Sequence, residues 1–208
     1  MHENHPDAPL SPYYLNLRTL DNPKPGPLTP VIMAKIGRLF WKYVCDPSAK
    51  IEFKHVVGIP NAGYPFAAAL AQAPAHPLSC LRLLKETFPG GRRVTKIVSG
   101  MYLPDDSVLL VDDLITRADT KSEAVEVLRA EKLVVRDVLV LIDREQGGRE
   151  ELAKLGVNLH AMFVVSGLLE IYVRKGLVSP AFRYEVLAEY PKKLQKYFAQ
   201  IQTGKTSA

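Results

Sequence analysis

The sequence has little cysteine and no long apolar run, and both absences exclude classes of protein. Its 208 residues include two cysteines, Cys45 and Cys80, which cannot form a disulfide framework and do not have the spacing of a metal site. No apolar segment approaches the roughly 20 residues that a helix needs to span a bilayer. Residues 1–12 lack the basic and then apolar pattern of a secretory signal. We therefore expect a cytoplasmic protein without a membrane partner.

Basic residues are numerous but not clustered. The formal net charge is +5 at neutral pH, and the basic residues are scattered apart from the pairs Arg92-Arg93 and Lys192-Lys193. No segment combines basic and aromatic residues in the manner of an RNA-binding motif. The charge is compatible with an anionic metabolite, and we expect no nucleic-acid partner.

Proline and length together predict the domain organisation. Seven of the sixteen prolines fall within residues 1–30, which excludes a regular helix there because proline has no amide donor. The length of the chain is typical of one α/β domain with additions. We predict an extended arm over residues 1–27, a single domain over residues 28–200 and a disordered tail over residues 201–208.

Apolar runs alternate with helical patterns through the rest of the chain. Residues 108–111 and 138–142 are uniformly apolar, which is typical of strands buried on both faces. Between them, Thr120 and Glu123 have the spacing of a capping box, which predicts a helix beginning at Thr120. This succession predicts an α/β fold with a central, mainly parallel sheet flanked by helices. Further strands are predicted at residues 55–60, 80–84 and 159–165, and further helices at 28–43, 66–73, 166–175 and 180–200, the last broken at Pro191.

Carboxylates stand at the ends of both apolar runs. Asp112 and Asp113 follow the first run, and Asp143 follows the second. Because parallel strands end at the same edge of a sheet, we expect these three residues to share that edge. In open sheets of this kind, ligands bind beyond the carboxyl ends of the strands.

Two segments resemble a known family. Residues 108–121 contain an apolar strand, two acidic residues, two apolar residues, Thr116 and a short loop, and they resemble the phosphoribosyl-diphosphate signature of type I phosphoribosyltransferases. Residues 141–148 are similar to the segment after the next strand in orotate phosphoribosyltransferases, including the domain of bifunctional UMP synthases. The resemblance implies a type I phosphoribosyltransferase-like fold with a small hood and lid. It also implies transfer of a phosphoribosyl group from phosphoribosyl diphosphate to orotate, with Mg²⁺ as the cofactor.

The resemblance also implies roles for individual residues. Asp112 and Asp113 would bind the ribose 2′- and 3′-hydroxyls, directly or through Mg²⁺ and water. Lys85 would meet the pyrophosphate. Thr116 would contact the orotate, and Arg144 would hold the orotate carboxylate, which a planar guanidinium fits in a bidentate manner. The loop with Asn61 and Ala62 would approach the diphosphate.

The expected phosphate loop differs most from the family pattern. The resemblance places the 5′-phosphate on residues 116–120, where this chain has Arg117, Ala118, Asp119 and Thr120 instead of glycine and small hydroxyl residues. Alanine resists the positive φ that glycine accepts. The Asp119 carboxylate would repel a phosphate by about 4 kcal/mol per pair of unit charges at 4 Å and an effective dielectric constant of 20. We expect Arg117 and Lys121, which flank Asp119 in the sequence, to offset part of this repulsion.

Residues 85–96 have two interpretations. They resemble the lid that closes over the site in the family and that a neighbouring protomer often supplies, which implies a homodimer. Equally, residues 92–98 have the pattern of a surface hairpin strand. The family also has a helix and a strand before the segment that resembles residues 11–18, and we expect that element to be missing because ten residues precede it.

Two other functions remain open from the sequence. The altered phosphate loop and the sparse lid favour a non-catalytic relative that binds a nucleotide or regulates a partner. A transferase for another base is the third hypothesis, and Arg144 argues against a purine because it suits a carboxylate.

Overall fold

The computed structural model describes residues 7–89 and 91–202. These residues form two compact units, one of residues 16–164 and one of residues 7–15 together with residues 165–202. The part of the predicted disordered tail from residue 203 onward lies outside the described residues, and the predicted domain boundaries stay a prediction. No helix in the described ranges combines the length and the hydropathy that a bilayer span requires.

A six-stranded sheet forms the centre of the larger unit. Five strands run parallel and the third is antiparallel to the second, in the spatial order third, second, first, fourth, fifth, sixth. The prediction of a mainly parallel sheet is therefore confirmed. The strands are β1 (His55–Gly58), β2 (Ser79–Phe88), β3 (Gly91–Ser99), β4 (Ser107–Ile115), β5 (Val134–Asp143) and β6 (Asn158–Val164).

The two central strands are buried, as their composition predicts. The residues of β4 from Val108 to Val111 are at most 2% exposed, and Val138, Leu139 and Val140 of β5 are fully buried. Both strands are longer than predicted, so Asp112, Asp113 and Asp143 belong to the strands instead of following them.

In the described part of the larger unit, a short 3₁₀ helix (Pro47–Ala49) and four α-helices accompany the sheet: α1 (Pro30–Val44), α2 (Gly63–Ala71), α3 (Asp119–Ala130) and α4 (Gly148–Lys154). The start of α1 confirms the local prediction. The Thr29 hydroxyl accepts a hydrogen bond from the amide of Ile32 at 3.3 Å, and Pro30 occupies the first helical position. Side-chain capping and a proline at this position are both typical of helix starts.

The predicted capping box of α3 is wrong. The helix begins at Asp119, and the residue before it, Ala118, makes no side-chain cap. The Glu123 carboxylate accepts a hydrogen bond from the amide of Val94 on β3 at 3.1 Å instead of returning to the start of its own helix. A tertiary contact to a neighbouring strand therefore replaces the expected local one.

Residues 85–88 and 91–96 lie in the two strands of a β-hairpin. Lys85 pairs with Val94, and Phe88 pairs with Gly91 across the antiparallel β2 and β3. The hairpin strand predicted for residues 92–98 is therefore present, and the lid interpretation of this segment stays a prediction. The pairing also extends β2 four residues past the predicted end at residue 84, so Lys85 lies within a strand.

The smaller unit is helical. It contains α5 (Val165–Arg174), α6 (Pro180–Tyr184), a π-helical segment (Glu185–Glu189) and α7 (Tyr190–Gln202). The predicted break at Pro191 is wrong, because the irregularity is the π-helical segment that precedes it and α7 continues through Pro191. The Tyr190 hydroxyl donates to the carbonyl of Pro9 at 3.4 Å, which ties residues 7–15 to this unit.

Candidate active site at the carboxyl edge of the sheet

The acidic pair lies near the end of β4. Asp112 is 4% exposed, and Asp113 is half-buried. Asp112 Oδ1 accepts a hydrogen bond from the amide of Asp113 at 2.9 Å, and Asp113 Oδ1 accepts one from the amide of Leu114 at 2.7 Å. Backbone donors therefore orient both carboxylates at the edge where parallel sheets bind ligands.

A buried lysine completes this pair. Lys121 Nζ lies 2.5 Å from Asp112 Oδ2, and the two side chains are only 8% and 6% exposed. The expectation that Lys121 offsets the charge of Asp119 is wrong, because the side chain reaches the strand instead of the loop. The sequence contains a signal for this position. Lys121 precedes Ala124, Val125 and Leu128 by three, four and seven residues, so it shares their apolar helix face.

The environment of Asp113 raises the pKa of its carboxyl group. Burial, together with the negative charge of Asp112, raises the pKa of Asp113 to about 7, although the Lys121 ammonium acts in the opposite direction. Near neutral pH, a large share of Asp113 is therefore protonated in the ligand-free protein. Because the ammonium also neutralises Asp112, the site carries less negative charge than two free aspartates would give it.

The turn after β1 packs directly on this pair. The amide of Ile59 donates to the carbonyl of Val111 at 2.9 Å, which continues the alignment of β1 with β4. A Cβ atom at Gly63 would lie 2.4 Å from the Val111 carbonyl oxygen and 2.9 Å from Asp112 Oδ1. Only glycine can pack this closely against Val111 and Asp112. The close packing brings the exposed turn residues Asn61 and Ala62 to the same edge of the sheet.

The segment after β5 packs against the end of β4. The amide of Arg144 donates to the carbonyl of Ile115 at 3.1 Å. A Cβ atom at Gly148 would lie 2.6 Å from the carbonyl oxygen of Thr116, so a glycine is required there as well. The two segments that resemble the family therefore contact each other through backbone, with Arg144 and Thr116 at the junction.

Asp143 supports this segment internally. In the register of β4 and β5, Asp143 is opposite Ile115, whereas Asp112 is opposite Val140. Asp143 Oδ1 accepts from the amide of Glu145 at 2.8 Å, and Oδ2 lies 3.5 Å from a guanidinium nitrogen of Arg149. Asp143 shares the carboxyl edge of the sheet with the acidic pair, as predicted. Both of its carboxylate oxygens contact the segment that follows β5.

The loop before α3 has the predicted conformational conflict. Ala118 is 3% exposed and has a φ of 71°, in the left-handed region that costs a residue with a side chain about 1–2 kcal/mol. Asp119 is exposed and occupies the first position of α3. The amides of the first helical turn have no intrahelical acceptor, so this end of α3 has the donors of an anion site with a carboxylate beside them.

Lys85 lies on a neighbouring strand, near the same edge. Arg82 of β2 is opposite Gly58, the last residue of β1, and Lys85 is three residues further along. The Tyr64 hydroxyl donates to the carbonyl of Leu83, and the Arg82 guanidinium lies 4.9 Å from the centre of the Tyr64 ring. These contacts connect the start of α2 to β2 and so place the 59–63 turn between Lys85 and the acidic pair.

Comparison with protein families identifies this arrangement. The phosphoribosyl transferase domain family matches residues 29–163, which include α1 to α4 and nearly all of the sheet. This chain belongs to that family. Residues 108–121, which resemble the phosphoribosyl-diphosphate signature, form all of β4 except its first residue, the loop that follows and the start of α3.

Relatives of this phosphoribosyl transferase cover most of the chain. An orotate phosphoribosyltransferase of Sulfurisphaera tokodaii is 30% identical over 82% of this chain and 80% of its own length. A uridine 5′-monophosphate synthase of Caenorhabditis elegans is 32% identical over 81% of this chain and 32% of its own. The solved UMP synthase of Leishmania donovani has a TM-score of 0.65 and 26% identity, over 91% of this chain and 36% of that one. The chain thus spans about a third of the length of both synthases.

Proposed function

We propose that this phosphoribosyl transferase acts on orotate and phosphoribosyl diphosphate, yielding orotidine 5′-phosphate and pyrophosphate. The hydrogen bond from the Arg144 amide to the Ile115 carbonyl carries the proposal. It fixes a cationic residue that suits a carboxylate beside β4, the strand that bears Asp112 and Asp113. The names of the relatives from Sulfurisphaera tokodaii and Caenorhabditis elegans support orotate as the base.

The reaction breaks the bond between ribose C1 and pyrophosphate through a transition state with oxocarbenium character. The protein contributes little covalent chemistry to such a reaction. It positions the two reactants, compensates the charge of the leaving group and excludes water.

The acidic pair receives the ribose and the base lies beside it. Asp112 and Asp113 accept hydrogen bonds from the 2′- and 3′-hydroxyls, which adjacent carboxylates at a strand end suit. Thr116 contacts the orotate ring side, and the Arg144 guanidinium binds the orotate carboxylate through two parallel hydrogen bonds. The main-chain hydrogen bond between Arg144 and Ile115 sets the distance between the two substrates.

The phosphate groups of the substrate bind on either side of the ribose. The 5′-phosphate lies on residues 116–120, where Arg117 and Thr120 join the free amides at the start of α3. The pyrophosphate lies near Lys85 and the turn with Asn61 and Ala62. Ala118 and Asp119 weaken the 5′-phosphate subsite through backbone strain and charge.

Mg²⁺ fits this site as a substrate-borne cation. The described residues contain no cluster of three or more His, Cys, Asp or Glu side chains able to hold a metal ion. Magnesium commonly keeps several waters and binds through one or two carboxylates plus phosphate oxygens. Asp112 and Asp113 would meet such an ion indirectly, through the substrate or water, and the ion would supply charge neutralisation at the pyrophosphate.

Two further proposals concern the assembly and the compartment. We expect a homodimer, because the segment from Lys85 to Lys96 resembles the lid that a neighbouring protomer often supplies in the family. Sedimentation that detects only a 23.1 kDa species at micromolar concentration would contradict it. A cytoplasmic location is supported by the exposed free thiols of Cys45 and Cys80, and cell fractionation tests it.

Titration calorimetry tests the orotate assignment. Phosphoribosyl diphosphate with Mg²⁺ is added first and orotate second. Arg144→Ala should weaken orotate binding by about 2–5 kcal/mol, the range for truncating one partner of a buried charge pair. Arg136→Ala, which removes an exposed arginine from β5, the strand that precedes Arg144, is the matched control and should bind orotate normally. Equal orotate affinity in both variants would remove the main support for a pyrimidine substrate.

A non-catalytic relative is the second candidate. The observation that favours it is the first turn of α3, where Ala118 has a positive φ and Asp119 supplies a negative charge. Failure of phosphoribosyl diphosphate to bind in the same titration would favour this candidate. Binding of phosphoribosyl diphosphate with no response to orotate would instead favour a transferase for another base.

A further inference from the structure

Lys121 stands where its surroundings favour an apolar side chain. It is the third residue of α3, and Ala124, Val125 and Leu128 on the same face are at most 1% exposed. Lys121 itself is 7% exposed. An ammonium group in such surroundings requires a charged partner, because its removal from water is unfavourable. The partner is the carboxylate of Asp112, 2.5 Å away.

General principles of stability do not favour a lysine at this position. The first turn of a helix disfavours a cation, because the free amides there form the positive end of the helix dipole. A buried ion pair can often be replaced by apolar residues of similar volume with no loss of stability. What distinguishes the position is the group it touches, since Asp112 is one of the two carboxylates proposed to receive the ribose hydroxyls.

The ammonium changes what the acidic pair offers to a metal ion. Asp112 Oδ2 is engaged by Lys121, and Oδ1 is engaged by the amide of Asp113 at 2.9 Å. A divalent cation that approaches the pair therefore meets a carboxylate whose charge is already neutralised. It also meets the fixed positive charge of a buried ammonium, and like charges repel more strongly there than in bulk solvent.

We propose that Lys121 is a positioning residue that supplies, at Asp112 and Asp113, the positive charge that a divalent cation would otherwise supply. The ammonium orients the Asp112 carboxylate and lies against it, so phosphoribosyl diphosphate binds with little help from a cation at the acidic pair. The inference rests on the proposed function, because it takes these two carboxylates as the ribose site. A cation carried on the pyrophosphate is distinct from one held at the ribose carboxylates. Under this proposal, only the cation at the ribose carboxylates is dispensable for binding.

Four variants separate charge from structure. Lys121→Met removes the charge and keeps an unbranched side chain one atom shorter. Lys121→Gln keeps a hydrogen-bond donor without charge, and Lys121→Arg keeps the charge. Lys154→Met removes one charge from an exposed lysine at the end of α4 and is the control. Circular dichroism checks that each variant folds.

Binding of Mn²⁺ to the substrate-free proteins, measured by electron paramagnetic resonance, is the first readout. Lys121→Met and Lys121→Gln should bind Mn²⁺ at least tenfold more tightly than the wild type. Lys121→Arg and Lys154→Met should stay within about twofold of it. Equal Mn²⁺ affinity in all five proteins would overturn the inference, and so would unfolding of both neutral variants, which would show a purely structural lysine.

The second readout is the dissociation constant of phosphoribosyl diphosphate, measured with saturating Mg²⁺ and with EDTA. The ratio of the two constants should be at least tenfold larger in the neutral variants than in the wild type. An unchanged ratio with normal binding would overturn the inference and leave the proposed function intact. Absence of binding in every protein would contradict the proposed function, whereas the Mn²⁺ titration would still decide the role of the Lys121 charge.

Discussion

Gly63 packs against Asp112 so closely that a methyl group at residue 63 would lie 2.9 Å from Asp112 Oδ1. The first residue of α2 and the acidic pair of β4 are thus parts of one packed unit. The position of the carboxylate depends on the absence of a side chain in a turn about fifty residues earlier in the sequence.

Gly63→Ala should therefore damage both stability and ligand binding. We expect a loss of about 1–3 kcal/mol in the free energy of unfolding, the usual cost of overpacking. We also expect at least a tenfold loss of affinity for phosphoribosyl diphosphate, about 1.4 kcal/mol. Gly37→Ala is the matched control, because its Cβ would lie 2.2 Å from the carbonyl oxygen of Ala69 in the packing of α1 on α2. Chemical denaturation and calorimetry should find both variants destabilised but only Gly63→Ala impaired in binding.

Two substitutions in the loop before α3, which we propose to hold the 5′-phosphate, should raise the affinity for phosphoribosyl diphosphate. Ala118→Gly combined with Asp119→Thr should relieve the positive φ at residue 118 and remove the carboxylate from the first turn of α3. Affinity for phosphoribosyl diphosphate should rise at least tenfold, about 1.4 kcal/mol. If charge repulsion is the cause, added salt should help the wild type relative to the double variant, because salt screens exposed charges. A double variant that binds no better would mean that this loop does not hold a phosphate.

Asp106 should make the protein sensitive to acid. Hydrogen bonds from His55 and Lys54, at 2.9 and 2.7 Å, and from the amide of Leu103 hold the pKa of Asp106 well below its ordinary value of 3.8. The unfolded chain therefore binds a proton that the folded protein does not, and stability falls as the pH drops below about 4. In urea titrations between pH 5 and pH 3, Asp106→Asn should lose part of this dependence, whereas Asp105→Asn should retain it. Identical slopes in the two variants would exclude Asp106 as the source.

Asp113 should have the opposite effect. Its pKa of about 7 lies above the ordinary value of 3.8, so the folded protein binds a proton more strongly than the unfolded chain between these pH values. Stability then falls as the pH rises from about 4 to about 7, by at most about 1.4 kcal/mol per pH unit. Partial exposure of Asp113 reduces this slope. Metal-free Asp113→Asn should be more stable than the wild type at pH 8 and similar to it near pH 4. A constant difference across this range would contradict the prediction.

The local features of this fold were readable from the sequence. Uniformly apolar runs predicted the buried strands β4 and β5, because a strand covered on both faces has no solvent-facing positions. Thr29 and Pro30 predicted the start of α1, because capping depends on residues within one turn. Strand–helix–strand order predicted parallel pairing, and the carboxylates were expected at the edge where the structure has them.

Tertiary structure decided which groups meet at the site. Lys121 and Asp112 are nine residues apart, and their ion pair exists because α3 returns its apolar face to the strand that precedes it. Glu123 was predicted to cap its own helix, but an amide of β3 competes for the same carboxylate and takes it. Apolar periodicity and helix capping involve residues of a single element, so they can be recognised in neighbouring residues of the sequence. A contact between elements depends on sheet register and helix placement, which adjacent residues alone do not encode.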